Sequence, residues 1–377
     1  MSNPLLGVLF HWLGGLASAS FYVPYRGVRR WSWEILWLTG GLFSWLLAPW
    51  LFAAVQTNDL LDVLGAVPAA TVGWCVLFGV LWGFGGLTYG LTMRYLGLSL
   101  GMAVVLGLCT VFGTLLPPIF AGEFSSKLLG TVSGRVNLVG LALTIVGNCV
   151  VATAGAKKDA ALDDAQKVAA VTEFNFRRGI WVAVFSGVMS SCYAYGLAAG
   201  EPIRQLGAAA GTGALWVGLP VICLITFGGL ITNGVWCGWL IVKNRSAGQW
   251  IGDGTSVGDE LGKQGNAVYL NGPTGLISTV APTSIPLARN YLLSALGGTL
   301  WYFQFFFYTM GESQMGRFGF SSWTLHMASI IIFGTVWGFA LSEWKDAPAR
   351  VRVTVWTGVA FLVGATMVIG YGNMLAT

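Results

Sequence analysis

Residues 290–310, NYLLSALGGTLWYFQFFFYTM, decide the fold class. They contain no charged side chain, and seven of the nine residues 300–308 are aromatic. A run of about 20 mostly apolar residues is long enough for a helix to cross the hydrocarbon core of a bilayer. The stretch therefore predicts a membrane-spanning helix with one primary amide, Gln304, inside it.

The composition of the whole chain agrees with this interpretation. Of its 377 residues, 55% are hydrophobic and 9% are charged, whereas a soluble domain carries about 25% charged residues. The net charge of +5 does not indicate nucleic-acid binding, because the basic residues lie in loops, where they orient a membrane protein. The sequence has no metal-ligand cluster, nucleophile elbow or phosphate loop, so we expect a protein that is not an enzyme and holds no metal.

Nine further apolar stretches resemble residues 290–310. Together they predict an all-α polytopic membrane protein with ten transmembrane helices, whose ends are uncertain by a few residues. The predicted spans are 5–22, 35–55, 69–91, 98–118, 136–154, 179–199, 214–240, 290–310, 321–341 and 353–375.

The loops between these spans differ in charge on the two sides of the membrane. Only Lys127, Arg135, Arg204 and Arg317 lie in loops of one side, and the rest of the 20 basic residues lie on the other. The positive-inside rule places the basic side in the cytoplasm and both termini on the outer, periplasmic side. In the cytoplasm, residues 156–178 predict a linker with a short surface helix, and residues 243–289 predict a long irregular loop.

Small residues suggest an internal repeat. Gly7, Gly15 and Ser18 are spaced like Gly179, Gly187 and Ser190, and Gly83, Gly97 and Ser99 are spaced like Gly297, Gly311 and Ser313. The spacing predicts two five-helix halves, 1–155 and 179–377. Because five is odd, the halves are inverted in the membrane, an architecture of alternating-access transporters that bind substrate near the midplane.

Several longer segments resemble the bacterial L-rhamnose–proton symporter family of the drug/metabolite transporter superfamily. They are FHWLGGLASASFYVPYRGVRRWSWEILW (10–37), WGFGGLTYGLTMRYLGLSLGMAVVLG (82–107), LLSALGGTLWYFQFFFYTMG (292–311), SSWTLHMASIIIFG (321–334) and SEWKDA (342–347). The resemblance implies ten helices in two inverted repeats. It also implies import of L-rhamnose or a related deoxy sugar with protons across the bacterial inner membrane.

The expected partners are then a small sugar, protons and the lipid bilayer, with no nucleic acid. No cofactor is expected, since the proton gradient supplies the energy. Two alternatives stay open at this stage. One is a transporter or exporter of a different small solute, and the other is a membrane scaffold or sensor that moves no solute.

One helical face is the first candidate for sugar binding. Trp301, Gln304, Phe305 and Tyr308 follow the i, i+3, i+4, i+7 spacing and share that face. Aromatic rings suit the C–H face of a sugar, and an amide suits its hydroxyls. The other interpretation is that Gln304 bonds a neighbouring helix while the aromatics face lipid. Tyr89, a polar group inside another span, is a further candidate for the cavity lining.

Each of the two histidines, His11 and His326, is a candidate for binding sugar or for passing a proton, because imidazole titrates near neutral pH; His11 is the one favoured for proton coupling. Trp323 lies near His326 in the sequence and favours a pocket there. The alternative role for both histidines is packing.

Carboxylates and gates complete the set. Glu312, at the outer end of its span, either loads a proton or caps a helix end in water, and Glu34 either couples protons or forms an interfacial ion pair. Arg94 is either a snorkelling residue or part of a gate ion pair. Tyr22, which precedes Val23-Pro24, is a candidate gate residue because proline ends or kinks a helix.

Overall fold

The computed structural model describes residues 2–96, 98–160, 176–253, 285–316, 319, 321–342, 344–345 and 347–375. Within these ranges the chain is all-helical and has no β-strand. The α-helices are α1 (Pro4–Ser20), α2 (Tyr22–Tyr25), α3 (Trp33–Leu42), α4 (Ala48–Gln56), α5 (Leu60–Gly65), α6 (Ala69–Leu96), α7 (Leu98–Phe120), α8 (Val132–Ala160), α9 (Phe176–Ala199), α10 (Glu201–Ala209), α11 (Leu219–Asn244), α12 (Leu287–Ser313), α13 (Ser321–Ala340) and α14 (Ala349–Met374).

The chain is a polytopic membrane protein. Eight helical segments of the described residues are long and apolar enough to cross a bilayer. The two predicted spans outside this set, 98–118 and 290–310, lie on α7 and α12, which have 23 and 27 residues. The eight segments are Pro4–Tyr25, Trp33–Gln56, Ala69–Thr92, Val132–Lys158, Arg177–Ala209, Leu219–Asn244, Ser321–Ala340 and Ala349–Met374.

Two details differ from the sequence predictions. The span predicted at 214–240 begins at Leu219, where Pro220 occupies the first turn, a position that tolerates its missing N–H. The loop predicted to be irregular at 243–289 starts with a 3₁₀-helix, Ser246–Ile251, whose Ser246 and Gln249 are buried. Residues 161–175 of the predicted linker and residues 254–284 of the predicted loop lie outside the described residues.

A π-helical turn, Phe43–Leu47, joins α3 to α4. The N–H of Ala48 donates to the carbonyl of Phe43, five residues back. Pro49 follows and has no N–H to continue the regular ladder. The turn carries Trp45, which is 1% exposed.

The helices of the two chain halves interleave. Helix α1 packs against α12 and α13, and α9 packs against α6 and α7. Small residues permit this closeness: a side chain at Gly15 would meet Ser329 of α13, and one at Gly187 would meet Leu108 of α7. The crossing of α1 with α12 and α13 brings together the polar residues described next.

Candidate functional site

His11 of α1 and His326 of α13 face each other in the interior. Both side chains are 0% exposed, and their ring centroids lie 6.4 Å apart. Among the described residues none of the four ring nitrogens has a hydrogen-bond partner. An unpaired buried polar group costs free energy, so these imidazoles are suited to a proton or a ligand hydroxyl that comes and goes.

Aromatic rings enclose the two imidazoles. The ring of Tyr308 lies 5.2 Å from that of His11 and 5.4 Å from that of His326, edge-on to both. The ring of Trp323 lies 5.8 Å from Tyr308, and its Nε1–H donates to the carbonyl of Cys109 at 3.0 Å. Helices α1, α12 and α13 therefore contribute to one cluster. The hydrogen bond from Trp323 attaches this cluster to α7.

Gln304 lies one turn deeper on α12 and uses half of its amide. Its Oε1 accepts a hydrogen bond from the Ser18 hydroxyl at 2.9 Å, a buried contact between α12 and α1. Its Nε2 has no partner among the described residues. The amide oxygen of Gln304 thus braces a neighbouring helix, and its amino group is left to donate. The part of the alternative interpretation that turned the aromatic residues toward lipid is wrong for Phe305 and Tyr308, which are 4% and 2% exposed because they pack in the interior.

Backbone contacts fix the distance between these helices. The Ser329 hydroxyl lies 2.9 Å from the carbonyl of His11 and 2.7 Å from the carbonyl of His326. A β-carbon at Gly14 would lie 2.9 Å from the carbonyl oxygen of Gln304, and one at Gly311 would lie 2.7 Å from Nε2 of His11. Glycine at these two positions is therefore required for the close approach of α1 and α12 around the imidazoles.

The predicted aromatic face of α12 divides into two groups. Tyr308 joins the histidine cluster, whereas the amide of Gln304 reaches Ser18. Trp301 stacks on Trp82 with centroids 5.5 Å apart. Phe305 stacks on Tyr193 at 4.0 Å. Trp301 and Tyr308 share one helical face, but they are seven residues apart, about 10 Å along the helix axis. They therefore lie at different depths in the protein.

Glu312 has a cationic partner that sequence reasoning missed. Its carboxylate lies 2.8 Å from one guanidinium nitrogen of Arg204 on α10. The other terminal nitrogen of Arg204 lies 3.2 Å from the carboxylate of Glu201. The Arg204 and Glu312 side chains are 17% and 19% exposed. Glu312 is therefore held in an ion pair and largely shielded from solvent at the end of α12. The available signal was Arg204 itself, one of the few basic residues on the predicted outer side.

Glu34 lies apart from the histidine cluster. It is 4% exposed, and its Oε1 accepts from Nδ2 of Asn244 at 3.1 Å and from Oγ of Ser246 at 2.8 Å. The partners that the structure gives this oxygen are neutral groups at the end of α11.

The structure does not bring Tyr89 or Tyr22 to the cluster. Tyr89 packs beside a separate apolar group that includes Val105 and Ile180. Tyr22 is 44% exposed, and its ring lies 3.9 Å from that of Phe21. Arg94 belongs to α6, and its side chain lies outside the described part of the structure.

Comparison with known proteins identifies relatives over almost the whole chain. The model of the family described as L-rhamnose-proton symport protein (RhaT) matches residues 1–248 and 277–376. The chain is 34% identical over 377 residues to an L-rhamnose-proton symporter of Cronobacter sakazakii, with 99% of each chain covered. It is 33% identical over 376 residues to L-rhamnose-proton symporters of Yersinia pestis and Yersinia pseudotuberculosis, also with 99% of each covered.

Proposed function

The chain belongs to the family of L-rhamnose-proton symport proteins, and on this premise we propose that it imports L-rhamnose together with protons by alternating access. The membership confirms the family resemblance of residues 10–37, 82–107 and 292–311. The protein is a transporter and not an enzyme, and it needs no cofactor because the proton gradient is its energy source.

The observation that carries the proposal is a pair of buried imidazoles, without hydrogen-bond partners among the described residues, inside an aromatic enclosure. The imidazoles of His11 and His326 and the Nε2 of Gln304 are buried and have no hydrogen-bond partner in the described chain. Small-molecule sites combine mostly apolar walls with a few placed polar groups. L-rhamnose would offer hydroxyls to these atoms and its C–H face and methyl group to Tyr308 and Trp323.

We assign the coupled proton to the imidazole pair. Ionisable groups within membranes are expensive to bury and mark proton or substrate pathways. The 6.4 Å between the two rings is short enough for a proton on one imidazole to influence the other strongly. The same imidazoles are assigned to the sugar, so proton and sugar would meet in one place.

Glu312 and Glu34 are assigned to the two ends of the proton route. The Arg204–Glu312 ion pair joins α10 to α12, and a proton on Glu312 would remove the charge that holds Arg204. Glu34 holds Asn244 and Ser246 of the second half against α3. In this role each carboxylate would link proton passage to the opening of one end of the protein.

The proposed architecture is two inverted five-helix halves, residues 1–155 and 179–377, joined by the linker 156–178. Helix packing supports it, since α1 contacts α12 and α13 as α9 contacts α6 and α7. In the proposed repeat α1 corresponds to α9, α6 to α12 and α7 to α13, so each first helix packs against the equivalent two helices of the other half. We further propose that the protein lies in the bacterial inner membrane with both termini on the periplasmic side, in accord with the positive-inside rule.

Contacts between the halves suggest where the two gates lie. At one end, the N–H of Asn58 donates to the Thr212 hydroxyl at 3.0 Å. At the other end, the side chain of Asn290 bonds both the N–H and the carbonyl of Arg29, at 3.0 and 2.7 Å. Opening either side would require breaking such contacts. Tyr22 and Arg94 remain gate candidates for the end that carries Asn290 and Arg29.

The test is uptake of labelled L-rhamnose into proteoliposomes that hold the purified protein, with and without an inward proton gradient. We expect accumulation above equilibrium only with the gradient, and competition by unlabelled L-rhamnose. A folded preparation that takes up no L-rhamnose, or accumulates it equally without a gradient, would contradict the proposal.

A further inference from the structure

We propose, building on the proposed function and orientation, that the 3₁₀-helix Ser246–Ile251 is a strap that closes the cytoplasmic end of the transport path. In this role the strap detaches before the sugar leaves for the cytoplasm. It follows α11 of the second half in the chain and packs on α3 of the first half. The strap therefore joins the two halves at the end of the protein that carries Asn290 and Arg29.

Gln249 is the central contact of the strap. Its side chain is 2% exposed, and its Oε1 accepts a hydrogen bond from the N–H of Ser32 at 2.6 Å. Its backbone carbonyl accepts from Nε1 of Trp31 at 3.0 Å. Both donors lie in the first half, just before α3. One residue of the strap thus binds two successive residues of the other half through its side chain and its main chain.

The other contacts of the strap lie on both sides of Gln249. The Ser246 hydroxyl donates to Oε1 of Glu34 at 2.8 Å, and Nε1 of Trp250 donates to Oγ1 of Thr39 at 2.9 Å. Glu34 and Thr39 lie in the first and second turns of α3. The hydroxyl of Tyr291 on α12 donates to the carbonyl of Trp250 at 2.8 Å. The docked strap is therefore fastened along α3 and at its far edge to α12.

Both ends of the strap have backbone angles suited to a hinge. Arg245, which precedes the strap, has a φ of 52°, and Gly252, which follows it, has a φ of 91°. The left-handed region is uncommon for residues other than glycine and costs free energy there. Hinges are a few residues at the ends of elements that absorb large changes in φ and ψ. Rotation at these two positions would lift the strap and leave α11 intact.

Two hydroxyls next to the docked strap are buried without partners. The Oγ atoms of Ser32 and Ser294 have no hydrogen-bond partner among the described residues. Ser294 is 0% exposed and lies one turn beyond Tyr291 on α12, where its carbonyl oxygen would be 3.2 Å from a β-carbon at Gly40 of α3. A buried hydroxyl without a partner costs free energy. Water that enters when the strap lifts would hydrate both hydroxyls, so the closed state carries a cost that opening removes.

The strength of the strap fits a part that opens in each transport cycle. A hydrogen bond lost on opening is exchanged for bonds to water, so each neutral one favours the closed state by only about two- to twelvefold. Several such bonds fasten the strap, and they lie on one short segment between two hinges. They can therefore break together, without a change in the packing of α3 against α12.

Thiol labelling from the cytoplasmic side tests the strap. Ser294→Cys is the reporter, since it replaces a hydroxyl without a partner in the described chain by a thiol of similar size. A membrane-impermeant maleimide is added to inverted vesicles, and the signal of the wild type with its own six cysteines is subtracted. We expect slow labelling of the reporter alone. Adding Gln249→Leu is expected to raise the rate about two- to twelvefold, as for loss of one hydrogen bond.

Ala247→Gln is the matched control, because Ala247 is exposed on the same segment, and we expect it to leave the labelling rate unchanged. The same reagent added from the periplasmic side, in right-side-out vesicles, is expected to give no rise with either variant. If Gln249→Leu does not fold, Trp250→Phe replaces it. That variant keeps a ring and loses the N–H donated to Thr39, and we expect it to act in the same direction.

No rise in labelling, an equal rise from both sides of the membrane, or an equal rise with Ala247→Gln would overturn the strap. Uptake of L-rhamnose is measured separately on the same preparations. Labelling that depends on the strap in a protein that takes up no L-rhamnose would refute the proposed substrate and leave the strap in place. Normal L-rhamnose uptake with labelling that ignores Gln249→Leu would refute the strap alone.

Discussion

Comparing Gln304→Met with Ser18→Ala separates a sugar contact of Gln304 from its bracing of a neighbouring helix. Methionine has nearly the same length and flexibility but can neither accept from Ser18 nor donate from Nε2. The structure gives the amide one protein hydrogen bond, Ser18 Oγ to Gln304 Oε1 at 2.9 Å, and leaves its Nε2, which carries two N–H donors, without a partner among the described residues. Ser18→Ala removes that bond and keeps the donor, so it is the matched variant.

The expected magnitude follows from these two bonds. A neutral hydrogen bond is worth about 0.5–1.5 kcal/mol net, and 1.4 kcal/mol is a factor of ten in affinity. Gln304→Met is therefore expected to raise the half-saturating L-rhamnose concentration about two- to twelvefold. Ser18→Ala is expected to raise it less, while lowering thermal stability because it leaves a buried carbonyl oxygen unpaired.

The assay is gradient-driven uptake in proteoliposomes over a range of L-rhamnose concentrations, with thermal unfolding of each purified variant. The double variant Ser18→Ala/Gln304→Met completes the cycle, since contacting residues are not additive. If Gln304→Met and Ser18→Ala change the half-saturating concentration by the same factor, and the double variant adds nothing, Gln304 is only a brace and the reasoning is refuted.

Three further predictions concern the same region. His326→Ala is expected to abolish gradient-driven uptake at unchanged membrane insertion, measured by transport and by protein level in the membrane, and near-normal uptake would remove the imidazole from the site. Glu312→Gln is expected to reduce gradient-driven accumulation more than sugar exchange at equal pH, because it removes the charge held by Arg204; equal effects on both would place the coupled proton elsewhere. Gly14→Ala is expected to lower both the thermal unfolding midpoint and uptake, because its methyl group would lie 2.9 Å from the Gln304 carbonyl oxygen. Gly234→Ala, where nothing lies within 4 Å, is the control expected to leave both unchanged, and equal effects of the two would show that packing at Gly14 is not special.

The spans were predictable from the sequence because hydropathy and length are local properties. Residues 290–310 lie within α12, and 35–55 lie within the segment Trp33–Gln56. The π-helical turn at Phe43–Leu47 was not predicted, since its cause combines a proline with packing of Trp45 in the interior. The start of α11 at Leu219 likewise depends on where Pro220 is tolerated.

The candidate site was predictable only in part. The periodicity of side chains predicts which residues share a face of one helix, but not how deep they lie or which residues they contact. It placed Trp301 and Tyr308 on one face, and the structure separates them into two groups. The ion pair of Arg204 with Glu312 joins residues 108 apart in the chain, which no local pattern can reveal. The hydrogen bond of Ser18 with Gln304 spans 286 residues and was missed for the same reason.

A shared location of proton and sugar at the imidazole pair, as proposed above, would give a physical basis for coupling. Coupling between two ligands is a free energy, and it is reciprocal: if a proton on the imidazoles favours the sugar, the sugar must favour the proton by the same factor. In the proposed site His11 and His326 would carry this coupling, since their ring centroids lie 6.4 Å apart, edge-on, and both rings lie against Tyr308. A sugar hydroxyl that accepts a hydrogen bond from a protonated ring would offset part of the cost of burying that charge. A proton without the sugar, or the sugar without the proton, would not gain this hydrogen bond. The carboxylates at the two ends need then only open and close the path, so the energy of the gradient would enter transport at the imidazole pair.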